Sequence, residues 1–185
     1  MLLYLTQADE TKMRVFHAID RPIEELTVEI LCRKAGISKP TFYRHFESKY
    51  DVPIWFARFM CLETLDKIGR TLTWEEGLRG YFEIGIAELE HLRYTRAAPD
   101  MYEKIIAARE KHRCRIIEET LCMHGVEVTP LLSRAIKGYV KVELHFSEER
   151  VEPGQSQNID EIVTLATSFI PPVLYDALKE PLAQA

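Results

Sequence analysis

No stretch of this chain approaches the ~18 consecutive apolar residues of a membrane-spanning helix. The apolar opening MLLYL lasts five residues before Asp9 and Glu10 follow, so neither a secretory leader nor a membrane span is expected. The four cysteines (Cys32, Cys61, Cys114 and Cys122) include no C-x-x-C pair, and each sits inside an apolar helical pattern. That usage points to a reduced, cytoplasmic setting instead of a disulfide framework. H-E-x-x-H, G-x-S-x-G and a phosphate loop are all missing, so no catalytic residues and no cofactor are expected. Strand-like alternation of useful length is also lacking, as is any internal repeat.

What is present is an ordinary globular balance. With 46% hydrophobic and 29% charged residues, the 185-residue chain can bury a real core, in one domain or in a small domain joined to a larger one. The net charge of −5 argues against a protein that coats nucleic acid or membrane with its whole surface. The charge is unevenly spread. Residues 27–50 carry Arg33, Lys34, Lys39, Arg44 and Lys49 against Glu29 and Glu47, a local balance of +3. The remainder from 51 onward holds sixteen basic and twenty-two acidic side chains, a balance of −6. A small basic module on an acidic body is compatible with nucleic-acid binding and with many plain globular proteins.

Nearly every segment reads as helix. Val15, Ala18 and Ile19 share a face in a first helix over 11–19, which Pro22 closes. Thr27 caps a second helix with Val28, Leu31 and Cys32 inward, and Gly36 stops it. Ser38 caps a third, with Pro40 in its first turn. Ser48 caps a fourth through Trp55, Phe56, Phe59 and Leu62. TWEE at 73–76 is a capping box opening a helix to about Tyr94, and TRAAPD is a break. A long helix over 101–124 ends at Gly125, and Thr129-Pro130 starts one that reaches Phe146. The polar segment 147–158 reads as an exposed loop, and Asn158 caps a last apolar helix that Pro171 and Pro172 should kink or split. The expectation is an all-α chain: three short helices in a 1–50 domain, then five or six longer ones in a 51–185 domain.

The spacing of the second helix, AGIS and the third helix is that of a helix-turn-helix. Gly36 permits the reversal, Ile37 plugs the angle between the helices, and Ser38 restarts helix. Phe42 and Phe46, four apart, point inward. Lys39, Thr41, Tyr43, Arg44 and His45 are left for the outer and flanking faces. Such a face suits a major groove: Lys donates to guanine O6/N7, the Thr methyl meets thymine, and Tyr donates to phosphate. Free N–H groups at Thr27–Val28 and Ser48–Lys49 are ready phosphate seats, with Lys49 adding charge. A core hairpin with a solvated charged face would share much of this pattern.

The string LTVEILCRKAGISKPTFYRHFESKYDV resembles the DNA-binding domain of the TetR/AcrR family of bacterial transcriptional regulators, over about the first sixty residues. The resemblance implies a palindromic double-stranded operator read by a homodimer, most often as a repressor. It implies recognition-helix contacts by Lys39, Pro40, Thr41, Tyr43 and His45 behind the Ser38 cap, with Arg44 sometimes joining. It implies phosphate anchors at Thr27 and Lys49. Two features depart from the family pattern. RPIEEL stands where a glycine usually precedes the second helix, so that Glu24 and Glu25 crowd the anchor, and a double proline interrupts the last helix.

The same resemblance implies that the later helices dimerise and enclose a small-molecule effector. The stripes Leu132, Ile136, Tyr139, Val140, Phe146 and Ile162, Val163, Ala166, Phe169, Ile170 could form a four-helix bundle across a two-fold axis, or simply close the monomer core. Phe59, Phe82, Met101 and Tyr102 are candidate effector contacts, on helices that also carry Trp55, Trp74 and Tyr94; side chains at that spacing serve a core equally well. Arg115 should pair with Glu119. Glu88-x-x-His91 is one half of a di-iron motif that needs two, and His112 with Cys114 and Cys122 is badly spaced for one ion, so no metal site is expected. A partner protein could replace the effector.

Overall fold

The computed structural model describes residues 6–95, 99–148 and 158–182, with side chains for all of these but 99–105 and 147–148. Among the described residues there are ten α-helices, two 3-10 turns and no strand, which is the all-α class that the sequence predicts. None of these helices is long and apolar enough to cross a membrane. The polar stretch 149–157 and the break at 96–98 lie outside the described residues.

The chain forms two compact units. The first is residues 1–59 with 85–105, and the second is 60–84 with 106–185. In the first, α1 (Gln7–His17) begins four residues earlier than the apolar spacing suggested, because Thr6 and Asp9 make a capping box there. The Asp9 amide donates to Thr6 Oγ1 at 3.1 Å, and the Thr6 amide returns a bond to Asp9 Oδ2 at 3.3 Å. A 3-10 turn at Ile23–Glu25 then leads to α2 (Val28–Ala35) and α3 (Lys39–His45). Helix α4 (Asp51–Glu63) starts three residues after Ser48, whose amide donates to the Asp51 carboxylate at 2.7 Å. This unit's core is built from Val15, Phe16, Ile19, Ile23, Leu26, Leu31, Phe42 and Phe56, all 1% exposed or less. Phe16 lies flat on Phe56 with ring centroids 3.8 Å apart, binding α1 to α4 through two large apolar faces.

The helix expected to run from 74 to about 94 is two helices. Residues 74–87 form α5 (Trp74–Ala87), Glu88 leaves helical geometry at φ −102° and ψ 12°, and α6 (Leu89–Tyr94) follows. Local sequence carries no breaker there. Both residues flanking the break are tied to the end of α1, Glu88 through His17 and His91 through the Ile19 carbonyl.

In the second unit the capping box at α5 is present, with Thr73 N–H to Glu76 Oε2 at 2.9 Å and Glu76 N–H to Thr73 Oγ1 at 3.2 Å. Helix α7 (Pro99–Met123) is closed by Gly125 in left-handed geometry (φ +73°), and α8 (Pro130–Glu148) is capped by the Thr129 hydroxyl. The double proline splits the last helix into α9 (Ile159–Ser168) and α10 (Pro172–Leu178). Ile136, Tyr139, Val140, Val163, Ala166 and Ile170 are all buried, so most of the two proposed dimer stripes closes this unit's own core. Beneath them lies a polar knot. Arg113 donates to Glu143 at 2.9 and 3.2 Å and to the Leu65 carbonyl at 2.8 Å, and Tyr139 donates to Glu143 at 2.8 Å. Burial works against the Arg113 charge, but Glu143 overrides it and raises the guanidinium pKa above its ordinary value.

Candidate nucleic-acid interface

The helix-turn-helix is assembled by local chemistry. Thr27 Oγ1 accepts the Ile30 amide at 3.2 Å, Gly36 turns the chain at φ +66°, and Ser38 Oγ accepts the Thr41 amide at 3.2 Å. Gly36 has nothing near the place a Cβ would take, so its left-handed backbone is what demands glycine. Phe42 and Phe46 are buried with ring centroids 5.4 Å apart, and Cys32 and Ala35 are buried on α2. Apolar content is thus spent inward, and α3 turns its polar residues out.

On that outer face Lys39, Pro40, Tyr43 and Arg44 are exposed, while Thr41 and His45 are half-buried. Tyr43, at 56% exposure, is a large aromatic with no apolar reason to face water. The rim of the face is already organised. The Ser38 and Thr41 hydroxyls are bonded to each other at 2.9 Å, and Lys39 reaches Glu29 of α2 at 3.1 Å. Both members of the Lys39–Glu29 pair are more than half exposed, so the bond is cheap to exchange for another anion. Among the described residues Arg44 makes no ion pair.

The two expected anchors, far apart in sequence, are close in space. Lys49 Nζ donates to the carbonyls of Leu26 at 2.7 Å and Glu24 at 3.0 Å, which puts its ammonium beside the Thr27 cap of α2. The segment RPIEEL is seated by Ile23 and Leu26, both essentially fully buried, while Glu24 and Glu25 are exposed. Behind the face, Lys34 and then Arg21 bond Asp20 and hold its carboxyl down at about 2. Burial, followed by Arg44 and Lys12, lowers the His45 pKa below its ordinary value, so its imidazole is neutral at pH 7.

The effector candidates fall elsewhere. Phe59 is buried in the first unit against Trp55, with ring centroids 5.3 Å apart. Phe82 is in the second unit, edge-on to Tyr81 and Phe146. The side chains of Met101 and Tyr102 lie outside the described residues. The second unit does carry an open groove of about 800 Å³, lined in part by Arg70, Arg115, Cys122, Met123 and Pro130. Arg115 pairs with Glu119 at 2.5 Å as its spacing suggested, and His112 bonds Asp66 at 2.6 Å.

Glu29 was not among the residues singled out from the sequence. Its place in the first turn of α2 was legible, but its reach to Lys39 depends on how α2 and α3 cross.

Residues 17–52, the span from the end of α1 to the start of α4, match the model of a known family, described as bacterial regulatory proteins, tetR family. No curated protein matches the chain. The turn, α3 and the capped helix starts all fall within the matched span, so what residues 17–52 are similar to is the N-terminal helix-turn-helix domain of tetR-family bacterial regulatory proteins.

Proposed function

We propose that the chain is a homodimeric repressor that binds a palindromic operator and is released by a small-molecule effector. The observation that carries the DNA contacts is the outward and flanking surface of α3: Lys39, Pro40, Thr41, Tyr43, Arg44 and His45 lie on it, behind the Ser38 cap, while Phe42 of the same helix is buried. Lys39, Thr41 and Tyr43 meet base edges and flanking phosphates in the major groove. Thr27 and Lys49 seat one phosphate at the start of α2, where unbonded amides and a nearby ammonium add up.

Dimerisation is supported by what the second unit leaves outside. Val142 on α8, Leu165 and Phe169 on and just after α9, and Val173 on α10 are exposed although apolar. The rings of Phe146 and Phe169 are 5.5 Å apart, which makes the α8 and α9 parts of this surface continuous. A second copy placed across a two-fold axis would cover it, and a dimer is what a palindromic site requires.

The test is fluorescence anisotropy against the DNA upstream of the chain's own gene, over a range of salt, with Tyr43→Ala and Lys49→Ala beside the wild type. Lys49→Ala should weaken binding to all sequences and lower the salt slope by about one. Tyr43→Ala should weaken selective binding. If fragments selected from the whole genome also failed to bind above unrelated DNA, the reading would be abandoned.

A further inference from the structure

The Glu88-x-x-His91 pair gains a third member from the fold. His17 closes α1, and its Nε2 lies 3.0 Å from both carboxylate oxygens of Glu88, the residue at which the α5–α6 helix breaks. His91, one turn into α6, has its Nδ1 2.9 Å from the carbonyl oxygen of Ile19. A carbonyl only accepts, so Nδ1 carries the proton and Nε2 keeps its lone pair. The two imidazole rings are 5.0 Å apart, and one ligand atom from each of His17, Glu88 and His91 lies within 4.8 Å of the other two. All three belong to the first unit.

We propose that His17, Glu88 and His91 form a mononuclear site for a divalent transition-metal ion of the Zn²⁺ class. Two imidazoles and a carboxylate are a donor set suited to Zn²⁺, Co²⁺ or Ni²⁺, whereas Mg²⁺ and Ca²⁺ require oxygen ligands throughout. Ligand atoms around a tetrahedral Zn²⁺ stand roughly 3.3 Å apart, given bonds of about 2.0–2.1 Å. The His17–Glu88 separation is already near that value, and His17 is exposed enough to swing while the ion takes the place of the proton it shares with Glu88. The bond from His91 to a backbone carbonyl is the kind of support that orients metal-bound histidines. Three protein ligands leave a fourth position for water or a small anion. A dinuclear centre is not implied, since the chain has no second Glu-x-x-His and, among the described residues, no other metal-ligating group of three.

The ion would join the last residue of α1, at the edge of the DNA-binding span, to the start of α6. Phe16, the neighbour of His17, stacks on Phe56 of α4, so the cross-link would stiffen three helices of one unit. The rival is an ordinary His–Glu ion pair flanked by a second histidine, and the following experiment separates the two without reference to any operator. Tag-free full-length protein, stripped with chelator and dialysed, is titrated with ZnCl₂ by calorimetry and with CoCl₂ by visible absorption. We expect one Zn²⁺ per chain, Co²⁺ d–d bands without thiolate charge transfer, and a rise in melting temperature with Zn²⁺. His17→Gln changes an exposed side chain and keeps a donor for Glu88, so the fold should survive, as circular dichroism would check. It should weaken Zn²⁺ binding by more than about 100-fold, beyond what loss of a supporting partner costs. Glu88→Gln should do the same, while a Cys114→Ser/Cys122→Ser variant should bind as the wild type. No binding to the wild type, binding unchanged in His17→Gln, or binding lost with the cysteines would each overturn the proposal.

Discussion

The knot around Arg113 in the second unit allows a quantitative prediction. Arg113 and Glu143 are both buried, 2.9 Å apart at their closer contact, and Tyr139 completes the carboxylate's shell. Replacing Glu143 with Leu leaves a buried guanidinium without the carboxylate that it pairs with. Replacing Arg113 with Met leaves a buried carboxylate with only the Tyr139 hydroxyl. Stranding one member of a buried pair costs about 3–5 kcal/mol. For a chain of this length 1 kcal/mol shifts the melting temperature by about 2–4 °C, so each single change should lower it by roughly 10 °C. The double variant Arg113→Met/Glu143→Leu strands no charge and should be close to the wild type. The assay is urea denaturation in a Trp55→Phe background, where the remaining Trp74 packs edge-on to Tyr139 at 5.7 Å and reports this unit alone. Single changes costing under about 1 kcal/mol, or a double change equal to their sum within ~0.5 kcal/mol, would refute the reasoning.

Two glycines should respond for different reasons. Gly36→Ala forces a side chain into left-handed backbone in open space and should cost about 1–2 kcal/mol. Gly77→Ala drives a Cβ into the Ile68 side chain, which is buried at 3% exposure, and should cost about 1–3 kcal/mol. Denaturant midpoints measure both, and an unchanged Gly77→Ala would show that Ile68 yields freely. His45 gives the pH dependence. Its folded pKa is lowered, so its contribution to stability is fully present above the unfolded value near 6.5 and is lost as pH falls through the lowered one. DNA phosphates beside it would reverse the preference, so affinity should rise between pH 8 and 6, by up to about tenfold per unit for one proton taken up. Anisotropy should find that slope in the wild type and not in His45→Gln; equal slopes would separate His45 from the DNA.

The local parts of this protein were written in short windows of sequence. Thr27, Ser38, Thr73, Thr129 and Asn158 cap helices because each hydroxyl or amide oxygen needs only an amide two or three residues away. Gly36 and Gly125 end helices because only glycine enters left-handed geometry cheaply. The i, i+4 spacing of Phe42 and Phe46 divides α3 into an inner and an outer face before any tertiary contact is made. What needed the folded chain were the contacts spanning long separations. Glu88, at the break between α5 and α6, bonds His17 seventy-one residues away, which is why the His17–Glu88–His91 group was invisible beforehand. Arg113 meets Glu143 across thirty residues, and a charged residue on a helix looks solvated until its neighbours are known. The apolar stripes of α8 and α9 could face a partner or the monomer's own interior, since periodicity names a buried side without naming what covers it. Packing put Ile136, Val140 and Val163 inside and left Leu165 and Phe169 out, because only the crossing of whole helices decides which apolar surface is covered first.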